Sequence, residues 1–243
     1  MPARKSIVRL LQSVRLNRIV HRVYYGSVHG FDTANRDVLP ALDRCFEHVA
    51  AKGTASPGAY LEFGLFKGYS FWYAQSAARR LGLDSMRFFG FDSFAGLPDI
   101  GDIDRTENDA FYKGQYACSK EDVVRNLDSN GVDWERTFLI EGYYATSLNP
   151  ALKSRHRLQN IAIVLIDCDL YESTAQVLEF VEDLMRDGTI VMFDDWNCFN
   201  GDDDRGQRRA LREFLSRHFR WRMENFFSYG IYGQVFVARE RRN

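Results

Sequence analysis

Cysteine is scarce: Cys45, Cys118, Cys168 and Cys198 are the only four in 243 residues, and no two form a CxxC pair. Their scatter argues against a disulfide framework or a zinc site and suits reduced thiols in a cytosol. There are only five prolines, and neither an internal repeat nor a low-complexity linker divides the chain. No apolar run approaches the roughly 18 residues that a membrane-spanning helix needs. Arginines also break the apolar runs near the N-terminus, so neither a transmembrane anchor nor a signal peptide is expected. A surplus of one charge is missing too. The 32 basic and 33 acidic side chains nearly cancel, which leaves no general attraction for nucleic acid or anionic membrane. A cytoplasmic protein is expected.

What the chain does have is apolar residues, 45% of the total, enough to bury one large α/β domain. Short runs rich in β-branched and aromatic residues predict strands at 59–63, 86–91, 137–141, 161–166, 189–193, 221–226 and 234–238. Helical patterns at 68–81, 121–130, 173–186 and 204–218 separate most of them, and Ser119 with Asp122 offers a capping box for the second. This alternation predicts a mainly parallel sheet covered on both faces. The last two strands follow each other too closely for a helix and should form an antiparallel hairpin at one edge. The pattern is that of a seven-stranded, Rossmann-like class I methyltransferase sheet, whereas a dinucleotide dehydrogenase would repeat the βαβ unit to its end.

Before this domain, assigned to residues 51–243, residues 1–50 read as a basic helical arm and lid. Arg4, Lys5, Arg9, Arg15, Arg18 and Arg22 lie there with no acid among residues 1–31, and Ile7, Leu10, Leu11 and Val14 recur at helical spacing. A long segment at 93–118 shows no clear element, which in a compact domain points to a lid or binding loop.

The first strand runs into Gly64 and Gly68, and glycine at a strand–helix turn lets the backbone approach a ligand closely. Phe66 stands where a glycine fingerprint would have its middle glycine, which argues against a diphosphate cradle and hence against a nicotinamide cofactor. Asp92 ends the second strand, where an acid can accept both hydroxyls of an adenosine ribose. S-adenosylmethionine has no phosphate, and its ammonium group requires acceptors such as Glu62 and Asp167.

Two acidic clusters follow consecutive strands: Asp167 and Asp169 after the fourth, Asp194 and Asp195 after the fifth. If those strands are neighbours the carboxylates crowd together, and a bound divalent cation such as Mg²⁺ is the simplest way to relieve their repulsion. Such an ion acidifies and orients a hydroxyl nucleophile. Asp167 or Asp169 is the candidate base, since none of the five histidines lies in these strand-end motifs. The acidic turn at 200–206 resembles the opening of a calcium loop but lacks its closing glutamate, and reads as a solvated turn.

The segments LEFGLFKG, FDSFAGLPD, EGYYATSL, DCDLYEST and FDDW together resemble the macrocin O-methyltransferase (TylF-like) family. The resemblance spans about residues 57–215. It implies a class I methyltransferase fold, S-adenosylmethionine as donor, Mg²⁺, a hydroxyl of a sugar or glycosylated natural product as acceptor, and a homo-oligomer. By position it implies that Glu62, Gly64, Gly68, Asp92 and Ser93 contact the cofactor, that Gly142 and Tyr143 lie near its adenine, and that Asp167, Asp194 and Asp195 hold the metal. One departure stands out. Better-known relatives carry a histidine in the loop after the second strand, and residues 99–119 here contain none. The competing expectations are a noncatalytic S-adenosylmethionine-binding module that docks through its basic helix, and a nicotinamide oxidoreductase.

Overall fold

The computed structural model describes residues 23–105 and 111–241. The basic positions of the expected N-terminal helix, Arg4 to Arg22, lie outside the described residues. Seven strands form one sheet: β1 Ala59–Phe63, β2 Phe88–Asp92, β3 Thr137–Glu141, β4 Ile161–Ile166, β5 Ile190–Phe193, β6 Trp221–Tyr229 and β7 Gly233–Glu240. Their order is β3-β2-β1-β4-β5-β7-β6. The first five are parallel, while β7 runs antiparallel between β5 and β6. This is the expected sheet with its terminal hairpin.

β1, β4 and β5 are buried at every position, as their unbroken apolar runs require of strands covered on both faces. Side chains alternate between the faces. Tyr60, Ile163, Leu165, Ile190 and Met192 enter one core layer, and Leu61, Phe63, Val164, Ile166, Val191 and Phe193 the other. Each such side chain contributes about 1.5–3 kcal/mol of burial, which makes the register of the central strands hard to slip.

The helices are α1 Val38–Ala50, α2 Tyr69–Arg80, α3 Lys120–Ser129, α4 Tyr144–Ser147, α5 Pro150–His156, α6 Tyr171–Val181 and α7 Gly206–Arg217. Helix α1 falls within residues 1–50, the stretch read as a basic helical arm and lid. Val38, Leu42, Cys45, Phe46 and Val49 lie on one helical face and pack into the same core layer as α2. Helices α4 and α5 were not expected. The second is set by Asn149, whose Oδ1 accepts from the Leu152 N–H at 3.0 Å, with Pro150 in the first helical turn. Helix α6 starts before residue 173 and stops at Val181, where a tighter turn, Glu182–Leu184, replaces the expected last turn.

Half of the capping box at α3 forms: Ser119 Oγ accepts from the Asp122 N–H at 3.2 Å. The Asp122 carboxylate turns instead to the Ser119 hydroxyl and to Arg125. All four cysteines are free. No helix among the described residues is long and apolar enough to cross a membrane.

Candidate active site

The carboxyl ends of β1, β2, β4 and β5 open into a cavity of about 530 Å³. It lies where the strand order reverses, between β1 and β4, the place where open α/β sheets bind ligands. Described residues of the 93–118 segment, among them Leu97, Pro98, Gln115 and Tyr116, line it, and Asp102–Asp104 forms a short turn there. Asp104 anchors that turn by accepting the Tyr171 N–H at 3.0 Å, and Arg205 donates to the carbonyls of Ile103 and Arg105. Burial pushes the Asp104 carboxyl up to about 6, against the pull of the Tyr171 N–H.

Gly64 has a φ of 93°, and a Cβ there would sit 1.7 Å from the carbonyl oxygen of Asp167. Glycine is thus required for the loops after β1 and β4 to touch. Gly68 precedes α2 at a φ of 84°. Between them Phe66 is also left-handed, at 49°, and its ring makes edge contacts with Tyr25 and Tyr116. All three rings line the cavity, so the bulky side chain that breaks the glycine fingerprint serves as part of the wall.

Glu62 is fully buried and does not line the cavity. Its carboxylate accepts from the hydroxyls of Tyr60 and Ser70, and Ser70 does reach the cavity. Burial raises Glu62 to about 8, opposed by these two donors. Asp92 does line the cavity. Its Oδ2 takes the N–H groups of Leu65 and Phe66, at 2.7 and 3.2 Å, and its Oδ1 takes that of Phe94 at 2.7 Å. Because a carboxylate offers about four acceptor positions, one on Oδ1 remains for a ligand hydroxyl. Ser93, Gly142 and Tyr143 are in the wall, although the Ser93 hydroxyl already donates to the Gly96 carbonyl at 2.8 Å.

Strands β4 and β5 are neighbours, and their ends bring Asp167, Asp194 and Asp195 together with ligand oxygens all within 4.8 Å of one another. Asp169 is not in that trio. Burial, followed by the charges of Asp195, Asp194 and Asp104, raises its carboxyl far above the usual range. Asp167 is raised likewise, by burial and then by Asp194, Asp195, Asp169 and Glu62. Burial, with Asp195 next, pushes Asp194 up to about 7.

The donor set is all carboxylate, which suits a hard dication. A Ca–O bond of about 2.4 Å allows two ligand oxygens to lie up to ~4.8 Å apart, and an Mg–O bond of about 2.1 Å allows ~4.2 Å. Oxygens that lie within 4.8 Å of one another are close enough to share one dication of either size.

The 200–206 turn supplies no further acid, because Asp203 and Asp204 pair outward with Arg208 and Arg212. No histidine among the described residues lines the cavity. His48, His156 and His218 pack on aromatic rings of the scaffold. Residue-level reading missed Asn35 and Tyr229, which both donate to Asp194, and Asp104; no local pattern marks any of them.

A family model for macrocin-O-methyltransferase (TylF) matches residues 29–219. The 8-demethyl-8-(2,3-dimethoxy-alpha-L-rhamnosyl)-tetracenomycin-C 4'-O-methyltransferase of Streptomyces olivaceus is 30% identical over 162 residues, 65% of this chain and 59% of that protein. Demethyldecarbamoylnovobiocin O-methyltransferase of Streptomyces niveus is 26% identical over a stretch with the same coverage, 65% and 59%. The matched part thus spans 59% of the length of each of these two relatives. The solved structure of the O-methyltransferase NovP superposes with a TM-score of 0.70 at 21% identity, covering 95% of this chain and 100% of that one, and shares its fold. With the family match running from the head of α1 through α7, across every strand end that lines the cavity, the chain belongs to the macrocin-O-methyltransferase (TylF) family.

Proposed function

We propose that the protein is an S-adenosylmethionine-dependent O-methyltransferase that acts on a hydroxyl of a sugar or glycosylated small molecule and uses a divalent cation held by Asp167, Asp194 and Asp195. The observation that carries this reading is the convergence of those three carboxylates, within 4.8 Å, on the floor of the cavity that Asp92 and Gly142 also line. The sugar acceptor is suggested by the rhamnosyl group in the name of the Streptomyces olivaceus relative.

In this reading Asp92 takes a ribose hydroxyl with its remaining acceptor position, and Gly142 and Tyr143 flank the adenine. Glu62 acts through Ser70: by accepting the Ser70 proton it leaves that oxygen's lone pairs facing the cavity for the cofactor's ammonium group. A bound cation would supply Lewis-acid acidification of the acceptor hydroxyl. Asp169, outside the trio, is the base: a cation on its acidic neighbours would offset the charges that hold its proton and leave its carboxylate able to accept one. The acceptor oxygen forms the new C–O bond while the methyl carbon's bond to sulfur breaks. That electron pair stays on sulfur, S-adenosylhomocysteine departs, and the hydroxyl proton goes to Asp169.

The test combines calorimetric titration of S-adenosylmethionine with methyl-transfer assays on a panel of glycosides and nucleotide sugars, for the native protein and Asp194→Ala. Cofactor binding should survive the substitution while turnover disappears, and chelation should silence the native protein. Undiminished turnover by the variant in chelator would end the cation reading.

A further inference from the structure

Asp194 is gripped by an element far from it in sequence. The Asn35 Nδ2 group donates to both of its carboxylate oxygens, at 2.9 Å to Oδ1 and 3.2 Å to Oδ2, across 159 positions of chain. The orientation of that amide is set by its other half. Asn35 Oδ1 accepts the Asp37 N–H at 3.1 Å in a tight turn, so the nitrogen must face Asp194. The turn opens α1, whose Val38, Leu42 and Phe46 are buried in the core, and the amide therefore projects from a rigid helix head.

On the opposite side, Tyr229 Oη donates to Asp194 Oδ1 at 2.9 Å. The hairpin turn just beyond it presses on the same helix head, since a Cβ on Gly230 would lie 2.7 Å from Asp37 Oδ2. Of about four acceptor positions on a carboxylate, three are then filled, two on Oδ1 and one on Oδ2. Only Oδ2 retains an open position. Asp32, Thr33 and Ala34, immediately before Asn35, line the cavity, as does the hairpin tip at Ile231 and Tyr232.

We propose that Asn35 is a positioning residue that turns Asp194 so that Oδ2 faces the cation, and that it thereby ties the cavity wall at residues 32–37 to cation occupancy. This role rests on the cation site proposed above. Loss of the amide frees the Asp194 carboxylate to rotate and detaches the wall from it, while the cofactor end of the cavity, at Asp92 and Gly142, is untouched.

The test titrates Mn²⁺ into the full chain and follows the signal of the free ion by electron paramagnetic resonance, for the native protein, Asn35→Ala and Asn35→Ser. The serine hydroxyl can still accept the Asp37 N–H and keep the turn but is too short to reach Asp194, so it serves if the alanine variant folds poorly. Both variants should bind Mn²⁺ about 10–100-fold more weakly, as is usual when a residue that orients a metal ligand is removed. Their affinity for S-adenosylmethionine should be unchanged. Hydrogen exchange adds a second readout: Mn²⁺ should protect the amides of residues 32–37 in the native protein and not in the variants. Native Mn²⁺ affinity in both variants, or equal protection, overturns the role of Asn35. A native protein that binds S-adenosylmethionine but no Mn²⁺ overturns the cation site itself, and this role with it.

Discussion

The main-chain N–H of Asp169 donates to Oδ2 of Asp195 at 3.1 Å, which joins the loop after β4 to the loop after β5. Asp169 achieves this in the left-handed region, at a φ of 59°, a conformation that aspartate tolerates better than most side chains. The bend carries its side chain out of the line that would make it a fourth member of the trio formed by Asp167, Asp194 and Asp195.

Asp169→Asn keeps the main-chain bond to Asp195 and removes only the proton acceptor. Turnover should fall by about 10²–10⁴-fold, the usual contribution of a general base, with Mn²⁺ and S-adenosylmethionine affinities preserved. Steady-state rates beside a metal titration check this, and a variant that lost metal binding in parallel with rate would place Asp169 among the ligands instead.

Without a cation the buried acids should make stability fall as pH rises. Glu62 is raised to about 8 and Asp194 to about 7, and Asp167 and Asp169 are also raised. The folded state therefore binds more protons than the unfolded state above the ordinary carboxylate range of about 4. Their contribution is complete below that range and is lost as pH climbs through 7 and 8. Thermal melts of chelated protein should show a midpoint that drops from pH 5 to pH 8, a slope that Glu62→Gln lessens. Adding Mg²⁺ at pH 8 should raise the midpoint. A flat profile in chelator would contradict the crowding of the carboxylates.

Cation affinity should carry the complementary pH dependence. A protonated Asp194 cannot ligate, so with this group at about 7 the apparent affinity for Mn²⁺ should increase up to and beyond neutrality and then level off. Titrations at successive pH values measure it directly; affinity independent of pH between 6 and 8 would remove Asp194 from the ligand set.

Gly64→Ala should destabilise by an amount on the order of 3 kcal/mol or more, the upper part of the range for point substitutions. The new methyl would meet the Asp167 carbonyl at 1.7 Å, and two main chains would have to separate to admit it. Denaturant unfolding measures the loss. If Gly64→Ala were as stable as the native protein, the close approach of the β1 and β4 loops would be wrong.

Arg205→Ala should loosen the turn at Asp102–Asp104 without touching the acids of the trio. The guanidinium donates to the Ile103 carbonyl at 3.3 Å and lies 4.6 Å from the centre of the Phe199 ring, so its removal frees the turn that carries Asp104. The acceptor KM should rise about tenfold, equivalent to ~1.4 kcal/mol, with cofactor affinity little changed. A KM equal to the native value would show that this turn does not contact the acceptor.

The sheet and the acids at its strand ends were legible because each is written over a few neighbouring residues. A run such as Ile161–Ile166 is apolar at every position and can only be a strand buried on both faces. The acids that follow β4 and β5 are then delivered to one edge of the sheet by the chain itself. Helix α1 was not set apart as an element because its apolar spacing follows a strongly basic stretch that was read with it as one helical arm and lid. Helix α4 has four residues and α5 seven, too few for a periodic pattern to declare itself.

By itself the sequence determined where apolar and acidic side chains fall along each strand, and so the sheet, its terminal hairpin and the set of carboxylates at its open end. Tertiary structure alone decided which of those carboxylates meet: Asp169 stands beside the trio, Glu62 lies beneath Ser70, and Asp194 is held by Asn35 and Tyr229 from 159 and 35 positions away. Periodicity and turn chemistry act between near neighbours, whereas these contacts depend on strand order, register and the seating of α1 against the hairpin, which arise only when the whole core packs.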